Sequence, residues 1–100
     1  MNTLTPKQKK FLRARAHDLK PVVYVGRGGL SAAVLQDIER ALNDHELIKV
    51  RFVDFKDEKK RLAEEIAGAT GASLLGITGH LACLYRRSPL QDRQHIVLPE

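Results

Sequence analysis

The stretch VVYVGRGGLS, Val22 to Ser31, decides the fold. Four consecutive β-formers, Val22 to Val25, stop at Gly26-Arg27-Gly28-Gly29, and Ser31 then offers the hydroxyl of a helix N-cap. A strand that passes to a helix through one tight turn opens a β-α-β unit, whose strands run parallel through a right-handed crossover. The four β-formers leave the strand no polar face. It is therefore expected to be buried on both sides, with Tyr24 more readily a core residue than a surface aromatic.

Upstream, Thr5-Pro6-Lys7-Gln8 has the form of a helix start. Thr5 can cap, Pro6 suits the first helical position and Gln8 can close a capping box. At about 100° per residue, Leu4, Phe11, Leu12, Ala16 and Leu19 gather on one side and Lys9, Lys10, Arg13 and His17 on the other. Arg15 falls inside the apolar arc and is expected at its edge, stem packed and head in water. Pro21 disfavours helical geometry at Lys20 and predicts the end of the helix there.

Downstream, Val34, Leu35, Ile38, Ala41 and Leu42 form the apolar stripe of a second helix that Asn43-Asp44 closes. ELIKVRFVDF follows as a strand, with Ile48, Val50 and Phe52 facing one way and Lys49 and Arg51 the other. A third helix starts near Asp57, buries Leu62, Ala63, Ile66 and Ala67, and meets a glycine cap at Gly71. ASLLGIT and LACLYRR are two more strands, joined at Gly79-His80 with the signature of a type II′ hairpin. HIVLP adds one further extended segment. The expected fold is a single α/β domain in the order α-β-α-β-α-β-β, with a mixed four-stranded sheet. Its core spans about residues 4–87, with a polar C-terminal tail over 88–100.

The chain has 100 residues and a net charge of +5. Residues 1–30 carry seven cations and one acid; residues 31–100 carry ten cations and eleven acids. All the excess charge thus lies in the N-terminal third, a polarity suited to a polyanion. No apolar run approaches the roughly 20 residues that span a bilayer, and the basic N-terminus has no apolar core of a secretory signal. The single cysteine, Cys83, excludes an internal disulfide framework and fits a reducing, cytoplasmic compartment. It lies among apolar neighbours and is expected to be an inert thiol. His17, His45, His80 and His95 are scattered, without a second ligand at metal-binding spacing. No nucleophilic triad, HExxH or P-loop is present. No metal, cofactor or catalysis is expected.

Three readings of the glycine loop compete. A dinucleotide fingerprint would need a third glycine where Ser31 stands, and a longer chain than this one. A plain turn needing positive φ explains one or two glycines. A phosphate clamp uses the whole GxxG: bare backbone admits a nucleic-acid strand, amides and a helix start face the phosphates, and Arg27 adds a fork of donors. KH domains clamp backbone with a GxxG loop, although theirs joins two helices.

AHDLKPVVYVGRGGLS, followed by HELIKVRF and GHLACLYRR, closely resembles the CRM domain of chloroplast RNA splicing and ribosome maturation proteins. The likeness is to its stand-alone bacterial form, the YhbY-like RNA-binding proteins, and extends from about Leu4 to Arg87. It implies a fold similar to the C-terminal domain of translation initiation factor three. It also implies non-catalytic binding of ribosomal RNA in precursors of the large subunit. On the family pattern Gly26 and Gly29 are the fixed glycines, with Arg27 and Gly28 in variable positions. The expected interface comprises Gly26, Arg27, Gly28 and Gly29, with Lys9, Lys10, Arg13 and Lys20 along the first helix and its end. Lys49 and Arg51 join it if no helix covers their face. A monomer is expected, without membrane association. The alternative is a protein-interaction module whose basic helix docks on an acidic ribosome-associated partner.

Overall fold

Thr5 and Gln8 close a full capping box at the start of α1 (Pro6–Ala16): the Gln8 amide donates to Thr5 Oγ1 at 3.1 Å, and the Thr5 amide donates to Gln8 Oε1 at 3.0 Å. The computed structural model describes residues 4–54, 56–92 and 94–100. β1 (Val23–Val25) follows, then α2 (Ala32–His45), β2 (Leu47–Phe52), a 3₁₀ turn (Lys56–Glu58), α3 (Lys59–Thr70), β3 (Ser73–Thr78) and β4 (Leu81–Tyr85). The expected end of the second strand at Phe55 lies outside the described residues. The expected order of elements holds, and the sheet is mixed and four-stranded in the order β1-β2-β4-β3. β1 pairs parallel with β2, while β2–β4 and β3–β4 are antiparallel.

The alternation of β2 divides the core in two. Ile48, Val50 and Phe52 join Val23, Val25, Ala82 and Leu84 beneath α2 and α3, where Ile38, Leu42, Leu62, Ala63 and Ile66 complete one cluster. On the opposite face Leu47, Leu75 and Tyr85 pack against Leu4, Leu12 and Ala16 of the α1 region. The molecule is therefore three layers, with one helix on one face of the sheet and two on the other.

α1 stops at Ala16, one turn short of the expected end, and Leu19 is exposed instead of buried. Pro21 bars helix at Lys20, but the chain turns away earlier, with the Leu19 amide bonded to the Ala16 carbonyl. α2 runs one residue beyond Asn43-Asp44 and ends at Glu46, a non-glycine residue with φ 65°. Gly71 takes the left-handed conformation expected of a helix cap, with φ 74°. Gly79 has φ 59° while His80 keeps negative φ, the pattern of the expected type II′ hairpin.

The segment after Arg87 folds back onto the α1 face, where Ile96 and Leu98 pack beside the cluster of Leu4, Leu12 and Tyr85. HIVLP pairs with no strand among the described residues. Its anchor is Glu46, 1% exposed, whose carboxylate accepts from the amides of Ser88 and Ile96 at 2.7 Å each.

Candidate nucleic-acid interface

β1 ends at Val25, and the next four residues form a turn closed by the Gly29 amide on the Gly26 carbonyl at 3.0 Å. Gly29 sits at φ 65°, a conformation that costs an L side chain about 1–2 kcal/mol. A Cβ on Gly26 or Gly28 would meet nothing within 4 Å, so these two glycines leave open space that the fold does not use. Arg27 and Gly28 are exposed at the tip. Ser31 then caps α2, its Oγ accepting from the Val34 amide at 3.2 Å. That amide is engaged, so an anion at this point would meet the loop. The Val25 carbonyl accepts from the Val53 amide at 2.9 Å, which ties the base of the turn to the end of β2.

The sheet face beneath α1 continues past the helix. β1 is an edge strand, and α1 packs on β2, β3 and β4. Strand register sets Tyr24, Arg51, Leu81 and Thr78 in one row across the sheet, and Lys49, Cys83 and Gly76 in the next. Tyr24 is 56% exposed, which overturns its expected place in the core. Val23 and Val25 point into the α2–α3 cluster, and Tyr24 between them points to the face that α1 leaves bare. The expectation of a strand buried on both sides fails because an edge strand needs only one covered face.

α1 covers part of the Lys49–Arg51 face. Lys49 is half-buried and donates to the His17 carbonyl at 3.3 Å, a cation placed on the C-terminal end of a helix. Arg51, two residues on, is exposed. Arg13 is exposed too, but its Nη1 donates to the Leu75 carbonyl at 3.2 Å, beside the bulge of β3. Arg13, His17, Lys49, Thr78, Leu81 and Cys83 line a recess of about 290 Å³. Burial pushes the Cys83 thiol up, against the opposing pull of Lys49 and Arg13, as suits an unreactive thiol.

The structure thus sets Arg51, Lys49 and Arg13 on the α1 face of the sheet, Lys49 and Arg13 around the recess, while Arg27 stands apart at the tip of the turn after β1. Lys20 is exposed in the α1–β1 connection and lines a groove with Arg15, Leu19 and Val22. Lys9 and Lys10 lie roughly 10 Å back along α1, toward its start. Ion pairs among the described residues engage Arg40, Arg61, Arg86 and His95, and none of the expected interface cations. No group of three His, Cys, Asp or Glu residues among those described could hold a metal ion. No helix among them is long and apolar enough to cross a membrane.

The model of the CRS1/YhbY (CRM) domain matches residues 4–86. An "RNA-binding protein" of Haemophilus influenzae is 47% identical over 89 residues, covering 88% of this chain and 90% of that protein. A "Probable RNA-binding protein" of Pseudomonas aeruginosa is 41% identical over 91 residues, covering 90% and 88%. The solution structure of a candidate RNA-binding protein from Staphylococcus aureus superposes with a TM-score of 0.79 at 37% identity, covering 97% of this chain and all of that one. The match to the family model takes in every helix and strand described above, and the chain belongs to the CRS1/YhbY (CRM) domain family.

Proposed function

We propose that this protein binds RNA without acting on it chemically, clamping the phosphate backbone at the Gly26–Gly29 turn. The observation that carries the reading is the turn itself. It presents bare backbone and the exposed Arg27 side chain directly after β1, the strand whose register neighbour on the face α1 leaves bare is the exposed Arg51. Arg27 and the amides of Gly28 and Gly29 hold the backbone, Arg51, Lys49 and Arg13 extend the contact over the sheet, and Lys20, Lys9 and Lys10 add a flanking field. Such contacts position a strand and carry little sequence information, so binding is salt-sensitive and weakly selective.

The RNA class is ribosomal, in precursors of the large subunit. Support comes from the resemblance to the stand-alone bacterial members and from RNA-binding names on relatives that match along nearly the full chain. The test is affinity for ribosomal RNA fragments over a salt series. The reading predicts a steep loss of affinity with salt and a further loss in Arg27→Glu; a flat salt response would remove the clamp. Sedimentation of cell extract tests the assembly role. Co-migration with large-subunit precursors, abolished by nuclease, supports it, and a nuclease-resistant association would favour a protein partner instead.

A further inference from the structure

We propose that Tyr24 is a base-stacking platform, seating the base of a single-stranded nucleotide while its backbone passes to the Gly26–Gly29 turn. The proposal rests on the RNA-binding reading above. Tyr24 lies two residues before the turn on the same strand, about 7 Å from it along the chain, within reach of a single nucleotide. Its ring stands on the face that α1 leaves bare, and more than half of the residue is exposed to solvent. In the parallel register its neighbour across the ladder is Arg51, an exposed cation able to meet the phosphate of a nucleotide stacked on the ring.

Charge sets the direction of the strand. Along the outer edge of β1 the surface is of mixed charge, with Asp37 paired to Arg40 and with Asp44 and His45 beside Val22 and Val23. On the inner side lie Arg51 and, one row back, Lys49 above the recess with Arg13 and His17. A strand clamped at the turn therefore crosses inward over Tyr24 and Arg51. Stacking accepts any base, which accords with weak sequence selectivity.

The protein has two tyrosines and no tryptophan, and Tyr85 is buried. Both tyrosines emit, but only Tyr24 is open to a stacked base, so a quench on binding reports on Tyr24. The probe is a short oligouridylate, with an abasic ribose-phosphate strand of equal length as control. Titration of the full chain with the oligouridylate should quench emission, and the abasic strand should not. Tyr24→Ala should weaken oligouridylate binding about five- to a hundredfold while leaving the abasic strand unaffected. Tyr24→Phe should keep the affinity and lose the quench. Unquenched emission with unchanged affinity in Tyr24→Ala, in a protein whose binding still falls with Arg27→Glu, would overturn the platform alone. Failure of the wild-type chain to bind either this probe or ribosomal RNA fragments would overturn the underlying reading as well.

Discussion

Nδ1 of His95 lies 2.5 Å from Oε2 of Glu46, joining the C-terminal segment to the junction between α2 and β2. Glu46 is buried, and its carboxylate also holds the Ser88 and Ile96 amides, while its own carbonyl accepts from the Arg86 amide at 2.9 Å. One residue thus ends α2 and precedes β2 through its backbone, and fastens the C-terminal segment through its side chain. Burying a carboxylate is costly unless its lone pairs are filled, and here three donors fill them.

Glu46→Ala should destabilise the fold by about 3 kcal/mol, because it strands the buried Ser88 amide, the part-buried Ile96 amide and the His95 ring. Glu46→Gly loses the same contacts but relieves the φ of 65°, and should recover about 1 kcal/mol of that loss. Urea denaturation measures both variants. Hydrogen exchange at the Ser88 and Ile96 amides should accelerate in each, and unchanged protection there would refute the anchoring role.

The acid limb of stability follows from the same carboxylate. Burial raises its pKa, but the hydrogen bonds from His95, Ile96 and Ser88 and the charge of His95 outweigh that, so Glu46 titrates below its ordinary value of 4.5. Between the folded and unfolded values the unfolded chain binds more protons, so stability rises with pH in that window. The contribution is complete above 4.5 and disappears as pH falls through the lower, folded value. Denaturation of wild type and Glu46→Gln from about pH 6 to pH 3 should show their difference shrinking in acid. A difference that stays constant would mean that the charge plays no part.

The order of elements was legible because each carries a local signal: the Thr5 box, the Ser31 cap, the alternation of Ile48, Val50 and Phe52, and the glycines at 71 and 79. Tyr24 was not legible. A strand of three residues shows too little period to distinguish an edge from a centre, and only the strand order settles which face is covered. Glu46 was illegible for another reason. A glutamate between a helix and a strand reads as a solvated turn residue, and its partners lie 42, 49 and 50 residues away. For the interface, sequence shows where charge accumulates, but the end of α1 decides that Lys49 caps a helix while Arg51 stays free on the open face.

The loop glycines separate folding from binding. Gly29→Ala should cost about 1 kcal/mol or more because of its φ, whatever the ligand. Gly26→Ala and Gly28→Ala meet open space and should leave stability within about 0.5 kcal/mol of wild type. If the turn clamps the phosphate chain as proposed, their added methyl groups obstruct it, and both should weaken RNA binding in a fully folded protein. Calorimetry paired with anisotropy titration checks the contrast. Full affinity in both variants would show that the RNA does not approach these backbone positions.

Arg86 and Arg27 make the same separation with charge. Arg86 lies in the LYRR run, outside the expected interface, and its side chain is only 19% exposed. It donates to the Glu39 carboxylate at 2.9 and 3.0 Å, to the Thr70 carbonyl at 2.7 Å and to Asn43 Oδ1 at 2.7 Å, binding α2 to the end of α3. Arg86→Ala should cost about 2 kcal/mol of stability, and Arg86→Lys should recover little, because an ammonium cannot span those acceptors. Neither change should alter RNA affinity under conditions where the protein stays folded. Arg27→Ala should do the reverse: unchanged stability, weaker binding, and a slope of log affinity against log salt reduced by about one. An Arg86→Ala protein that is folded yet loses as much affinity as Arg27→Ala would move the interface to the α2–α3 side of the sheet.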